Sequence, residues 1–220
     1  MRNEVAISIT TVPDIAALKV IHQLDGLSDK GVLSAVLHLH NQRTGSRALP
    51  LYQQQLVSLA VIKCSEAEEI SIHCFGAVHG EANLLKQLDE LIGSNSKLIA
   101  WELNAHDLPL INYRLLKHCI VSENINNAPT VDLRSELANG EESASADLAG
   151  LSSSLDLPEL LEMDQQETIG YFLEKQLDKV HSATQTRAMN SYLIYLRNQL
   201  IHAKLSTNEY QSICKSLREA

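Results

Sequence analysis

Strand-like and helix-like stretches follow one another along this chain in an order that few folds accept. Residues 5–11 (VAISITT) alternate apolar with small polar side chains and are rich in β-branched residues, which favours a strand. Val12-Pro13-Asp14 breaks it, and Asp14 can cap a helix over Ile15–Gln23 with Ile15, Leu18, Val20 and Ile21 as its apolar set. Ser28 can cap a second helix, Asp29–Asn41, with Val32, Leu33, Val36 and Leu37 inward. After a polar loop, Asn41–Pro50, the stretches Leu56–Lys63 and Glu69–Cys74 read as a hairpin around an acidic turn at Ser65–Glu68. Glu81–Ile92 carries Leu84, Leu85, Leu88, Leu91 and Ile92 at helical spacing and stops at Gly93. Leu98–Leu103 reads as a buried strand, Asp107–His118 as a helix and Thr130–Leu133 as a short strand. Helices are expected over Leu157–Met163, Glu167–Val180, Thr184–Lys204 and Asn208–Arg218, so that 184–219 is a helical C-terminal region. The small, acidic stretch 136–154 is expected to be a mobile loop with at most a short helix. The order predicts one α/β domain over 1–220, a mixed five-stranded sheet flanked by helices.

A length of 220 residues suffices for one sizeable core. The formal net charge of −9 argues against the clustered Lys and Arg that strong non-specific nucleic-acid binding uses. No apolar run approaches membrane-spanning length, and MRNEVAISIT lacks the features of a signal peptide, so no membrane partner and a cytoplasmic location are expected. Cys64, Cys74, Cys119 and Cys214 form no C-x-x-C pair, which argues against zinc; Cys64 and Cys74 are expected to be buried thiols in strands. Of the histidines, His38 and His40 are two apart on a helix and face different ways, while His73 and His79 flank a strand end.

Three stretches carry a family resemblance. Val5–Asp14 (VAISITTVPD), Lys97–Leu110 (KLIAWELNAHDLPL) and Ser191–Arg197 (SYLIYLR) resemble the predicted 3′–5′ exonucleases related to the proofreading domain of family B DNA polymerases. That family belongs to the DEDD group of the ribonuclease H-like fold, and the resemblance runs from about residue 5 to 205. It implies a ribonuclease H-like fold and an exonuclease reaction in which four acids from three segments hold two Mg²⁺ or Mn²⁺ ions, about 3.5–4 Å apart. It also implies where those acids belong. In the first strand, the Asp-x-Glu of the family falls at Ser8 and Thr10, and no acid occurs from Val5 to Pro13. In the second segment, Asp107 matches the family acid. In the third, aligning Tyr192, Leu193, Tyr195, Leu196 and Arg197 puts Ala183 at the family tyrosine and Arg187 at the final aspartate. No Asp or Glu lies between Asp178 and Glu209, so no small slip of register restores that acid. Relatives also carry an aromatic and basic insertion where this chain has only SENINNAPT.

The expected function is therefore a degenerate exonuclease homologue without hydrolytic activity or cofactor. Single-stranded nucleic acid, a protein partner or a second copy of the chain would be its ligand. Arg187 either replaces metal charge, pairing with Asp107 or gripping a phosphate, or is a solvated helix arginine. Asp107 is either the last surviving ligand or a helix N-terminal acid. His106 could reach the cleft and join Arg187 in binding nucleic acid. The competing expectation is an active Mg²⁺- or Mn²⁺-dependent exonuclease with relocated ligands drawn from Glu102, Asp107, Asp132 and Asp178. A third is an oligomeric interaction module.

Overall fold

The structure, a computed structural model, describes residues 3–65, 69–77, 80–161 and 163–219. Five strands form one sheet: β1 (Glu4–Pro13), β2 (Gln54–Cys64), β3 (Ile70–Gly76), β4 (Lys97–Ala100) and β5 (Thr130–Asp132). Their order across the sheet is β3-β2-β1-β4-β5. β2 runs antiparallel to β1 and β3, whereas β4 is parallel to β1 and to β5. The sheet is mixed, as the order of elements predicts. Most of the expected hairpin turn, residues 66–68, and His79 lie outside the described residues.

Alternation along β1 sends its side chains to two different cores. Val5, Ile7 and Ile9 pack with Leu84, Leu85, Leu88 and Ile92 of α3 (Glu81–Ile92) and with Leu110 and Ile111 of α4 (Leu108–His118). Ala6 points the other way, joining Ala60, Ile62 and Ile99 beneath Ala188, Tyr192, Tyr195 and Leu196 of α9 (Asp178–Ile201) and Ile213 and Leu217 of α10 (Thr207–Glu219). Ser8 and Thr10 share the parity of Ala6 and so face α9. A register shift between Thr10 and Thr11, where Val57 of β2 is skipped, bends the ladder beside them. A third core joins Val12 to α1 (Ile15–His22), α2 (Asp29–Thr44) and α8 (Gln165–Leu173). Short helices α5 (Glu123–Asn127), α6 (Leu133–Leu137) and α7 (Leu148–Ser154) complete the chain. Among the described residues no helix is long and apolar enough to cross a membrane.

Two buried polar networks tie these layers together. Arg114 of α4 is 2% exposed and bridges Asp14 at 2.8 Å and Glu81 at 2.5 Å. Glu81 also accepts from the Leu56 amide and contacts His118, so one carboxylate joins β2, α3 and α4. On the opposite face Glu4 accepts hydrogen bonds from Tyr192 at 3.0 Å and Tyr195 at 2.8 Å, pinning α9 to the start of β1.

Several local expectations give way to tertiary packing. Val20 and Ile21 of α1 are exposed rather than core. β4 ends at Ala100, not Leu103, because the chain turns into a π-helical segment, Leu103–Asp107. Residues 157–161 are not helical. The stretch Glu167–Val180 is two helices, broken at 174–177 with Lys175 at φ +58°. No glycine or proline marks that break; α8 must pack on the end of β1 while α9 crosses the middle of the sheet. The expected loop 136–154 contains the end of α6, a 3₁₀ turn at Glu142–Ala144 and α7, capped by Asp147 through the Gly150 amide. Cys74 is exposed, so only Cys64 of the two strand thiols is buried.

Candidate functional site

The sheet's parallel half and α9 enclose a cleft of about 620 Å³. β1 supplies Ser8; the segment after β4 supplies Glu102, His106 and Asp107; α9 supplies Arg187 and Ser191. Arg134, Trp101 and residues 145–148 close the remaining sides. Three segments distant in sequence thus meet at one place, as the resemblance implies.

Asp107 is buried at 7% exposure but does not cap α4: no amide at the helix start bonds to its carboxylate. Leu108 and Pro109 already start the helix, and the π-helical turn rotates Asp107 toward the cleft. Its Oδ1 lies 2.8 Å from His106 Nδ1. Burial pushes the Asp107 carboxyl above the usual carboxylate range, with His106 and Arg187 pulling the other way. The hydrogen bond to Asp107 raises His106 above an ordinary histidine, against the effect of burial.

Arg187 is not a solvated helix arginine. Its Nη2 donates to Thr10 Oγ1 and to the Ile9 carbonyl at 3.3 Å, while its Nε is buried without a hydrogen-bond partner. Thr184 Oγ1 donates to the Val180 carbonyl at 2.6 Å and lies 2.7 Å from Thr10 Oγ1. Thr184 has only one proton, so Thr10 donates to it and accepts from Arg187. Burial lowers the Arg187 pKa and the nearby Asp107 charge raises it, but no ion pair or hydrogen bond joins the two side chains. The expected pairing of Arg187 with Asp107 is therefore replaced by a grip on β1.

The remaining candidates disperse. Ala183 is buried one turn before Arg187 and contributes no polar group. Glu102 reaches the cleft, but Arg134 Nη1 sits on it at 2.5 Å and Arg134 Nη2 reaches Glu142 at 3.2 Å. Asp132 caps α6 through the Ser135 amide and accepts from the Asn104 amide at 2.7 Å, outside the cleft lining. Asp178 is exposed at the start of α9. The relocated ligand set of Glu102, Asp107, Asp132 and Asp178 is thus not assembled. Among the described residues no group of three or more His, Cys, Asp or Glu is arranged to hold a metal ion. The donor set does not fit two dications: the cleft offers Asp107 bonded to His106, Glu102 paired with Arg134, Asp147 capping α7, hydroxyls and the two guanidiniums of Arg134 and Arg187. Ser191 and Arg134 are cleft residues that the sequence reading missed. Ser191 was findable, four residues after Arg187 on one helix face; Arg134 had no signal.

A family model described as a predicted 3′–5′ exonuclease related to the exonuclease domain of PolB matches residues 46–130 and 126–220. The chain belongs to this family. Its five-stranded mixed sheet flanked by helices is consistent with the ribonuclease H-like exonuclease fold. No curated protein matches the chain. The matched ranges include α9 and the segment carrying Asp107, so Arg187 and Asp107 sit within the exonuclease-like part of the molecule.

Proposed function

We propose that this chain is a non-hydrolysing member of the exonuclease family. Its cleft holds its ligand with fixed side-chain charge, and it serves a structural or regulatory role in the cytoplasm. The observation that carries this reading is the hydrogen bond between Thr10 and Arg187, the two positions where the resemblance implies metal-binding acids. Replacing an acid by Arg changes the local charge by two. A dication roughly 4 Å from a guanidinium is repelled by about 8 kcal/mol at an effective dielectric of 20. Of the cleft carboxylates without an arginine partner, Asp107 is bonded to His106 and Asp147 caps α7; one carboxylate at that distance only cancels the repulsion on a single ion and leaves little to hold a pair.

The ligand on this reading is single-stranded nucleic acid or an acidic protein segment, gripped by Arg187 and Arg134 with His106 at the edge. Labelled single-stranded DNA and RNA incubated with Mg²⁺ and with Mn²⁺ test it. The expected outcome is no shortening of either strand and, for the nucleic-acid ligand, a salt-sensitive mobility shift. Stepwise 3′ shortening would overturn it. One observation favours a second reading, an active enzyme: Glu102 and Asp107 line the same cleft, so displacement of Arg134 would free a pair of carboxylates. On that reading Arg134→Ala speeds degradation; on ours it does not create any.

A further inference from the structure

β3 is the outer strand of the sheet, paired on one side only. Its register with β2 is unbroken from Ser58↔Gly76 to Cys64↔Ile70. The bond from the Ser65 amide to the Glu69 carbonyl, 3.0 Å, continues that ladder and sets its phase. Antiparallel ladders alternate hydrogen-bonded and non-hydrogen-bonded pairs. Ser71, His73 and Phe75 therefore bond to β2, while Ile70, Ile72, Cys74 and Gly76 turn their amides and carbonyls outward. Among the described residues nothing bonds to those outward groups.

Edge strands are ordinarily guarded by charge, proline, bulges or a covering helix. β3 (ISIHCFG) contains no charged residue, no proline and no bulge, and none of its residues is buried. A seven-residue edge left in this state is a template for another strand.

We propose that β3 docks the β3 of a second copy of this chain, extending the sheet through a two-fold dimer. The strand is complementary to itself. In antiparallel pairing about an axis at His73, Ile70 meets Gly76 and Ile72 meets Cys74, so every outward amide and carbonyl finds an outward partner. His73 then faces its own copy in a non-hydrogen-bonded pair. β3 itself brings no formally charged side chain to the contact, while the chain carries −9, so the repulsion between two copies comes from charges outside the paired strands and is screened by salt. One strand pair alone buries less than the roughly 1,200 Å² of a stable interface. The dimer is therefore concentration-dependent and strengthened by salt.

Sedimentation and light scattering of the full chain over a dilution series test this, with apparent mass rising from one chain toward two. Cys74→Pro removes an outward amide without touching the ladder to β2, and edge strands accept proline in that position. It should remain folded and monomeric where the wild type is mostly dimeric. A second variant gives the register. With the exposed thiols removed (Cys74→Ser, Cys119→Ser), His73→Cys should oxidise to a covalent dimer, because Cα atoms of such a pair lie about 4.5 Å apart. Ser71→Cys in the same background should not, because Ser71 lies opposite Phe75. A wild type that stays monomeric up to its solubility limit overturns the proposal. So does a dimer that survives Cys74→Pro, or cross-linking through Ser71→Cys equal to that through His73→Cys.

Discussion

Thr10 on β1 and Arg187 on α9 are hydrogen-bonded to each other beside the cleft, with Thr184 completing the chain to the helix backbone. Two positions that would face a shared metal in an exonuclease instead face each other. Side chains of the protein itself, with the Ile9 carbonyl, hold the sheet and the helix together there. A guanidinium fixed in the protein stands where the resemblance implies a metal-binding acid.

Removing that guanidinium should cost stability. Arg187→Ala leaves Thr10 Oγ1 and the Ile9 carbonyl without their donor in a mostly buried place, a loss of about 1–3 kcal/mol. Thr10→Val should cost less alone. The double substitution should cost less than the sum of the two, because both break the same bond. Urea denaturation of the four proteins measures this; strict additivity would show that the bond contributes nothing.

The His106–Asp107 contact gives stability a defined pH dependence. Asp107 raises the His106 pKa, so the folded protein holds the imidazolium proton more tightly than the unfolded chain. The resulting stabilisation is fully present below an ordinary histidine value of about 6.5 and is lost as pH rises through the raised folded value. His106→Gln should therefore lose most against the wild type near pH 6 and least in mildly alkaline buffer. A difference that is flat with pH would contradict the pairing.

Arg114 carries a different expectation, unrelated to the cleft. It is fully buried between Asp14 and Glu81, and its removal strands two buried carboxylates. Arg114→Met should destabilise by about 3–5 kcal/mol, the range for breaking a buried pair from one side. Lys117 and His118 remain near the two acids and set the lower end of that range. Thermal denaturation measures it; a loss under 1 kcal/mol would mean that water reaches both carboxylates.

Rebuilding the acids should rebuild the metal site. Ser8→Asp, Thr10→Glu and Arg187→Asp together place carboxylates at the positions implied by the resemblance, beside Asp107. Without metal the triple variant should be less stable than the wild type, since like charges gather in a partly buried cleft. Mn²⁺ should raise its melting temperature in a saturable way. No response would mean that the backbone around these positions has moved too far for shared coordination.

Much of the fold was legible because periodicity reports burial. The limits of α3 agree with its leucine spacing, and Asp14 and Ser28 cap the helices they were expected to cap. The site was legible only through the family resemblance: nothing local marks Ser8, Thr10 or Arg187. What failed did so where long-range contacts decide. The cap was one of two readings open for Asp107; the Asp132 carboxylate, 25 residues on, holds the Asn104 amide of the π-helical turn and so helps set the direction in which Asp107 points. For Arg187 the sequence left two readings open, a solvated arginine or a replacement for metal charge, because the partners that decide are 177 and 178 residues away on β1. The small acidic stretch 136–154 looked structureless, but Asp147 caps α7 and Asn198 of α9 holds Glu136 at 2.9 Å.

With Arg187 built into it, this cleft is expected not to take up a pair of divalent ions. Thermal denaturation of the wild type and of Asp107→Asn across a Mn²⁺ titration tests it most directly, because a ligand of the folded state must raise apparent stability. The two curves should shift equally, with no saturable component dependent on Asp107. A saturating rise in the wild type, about 2.7 kcal/mol at a hundredfold excess over the dissociation constant, absent from Asp107→Asn, would contradict it.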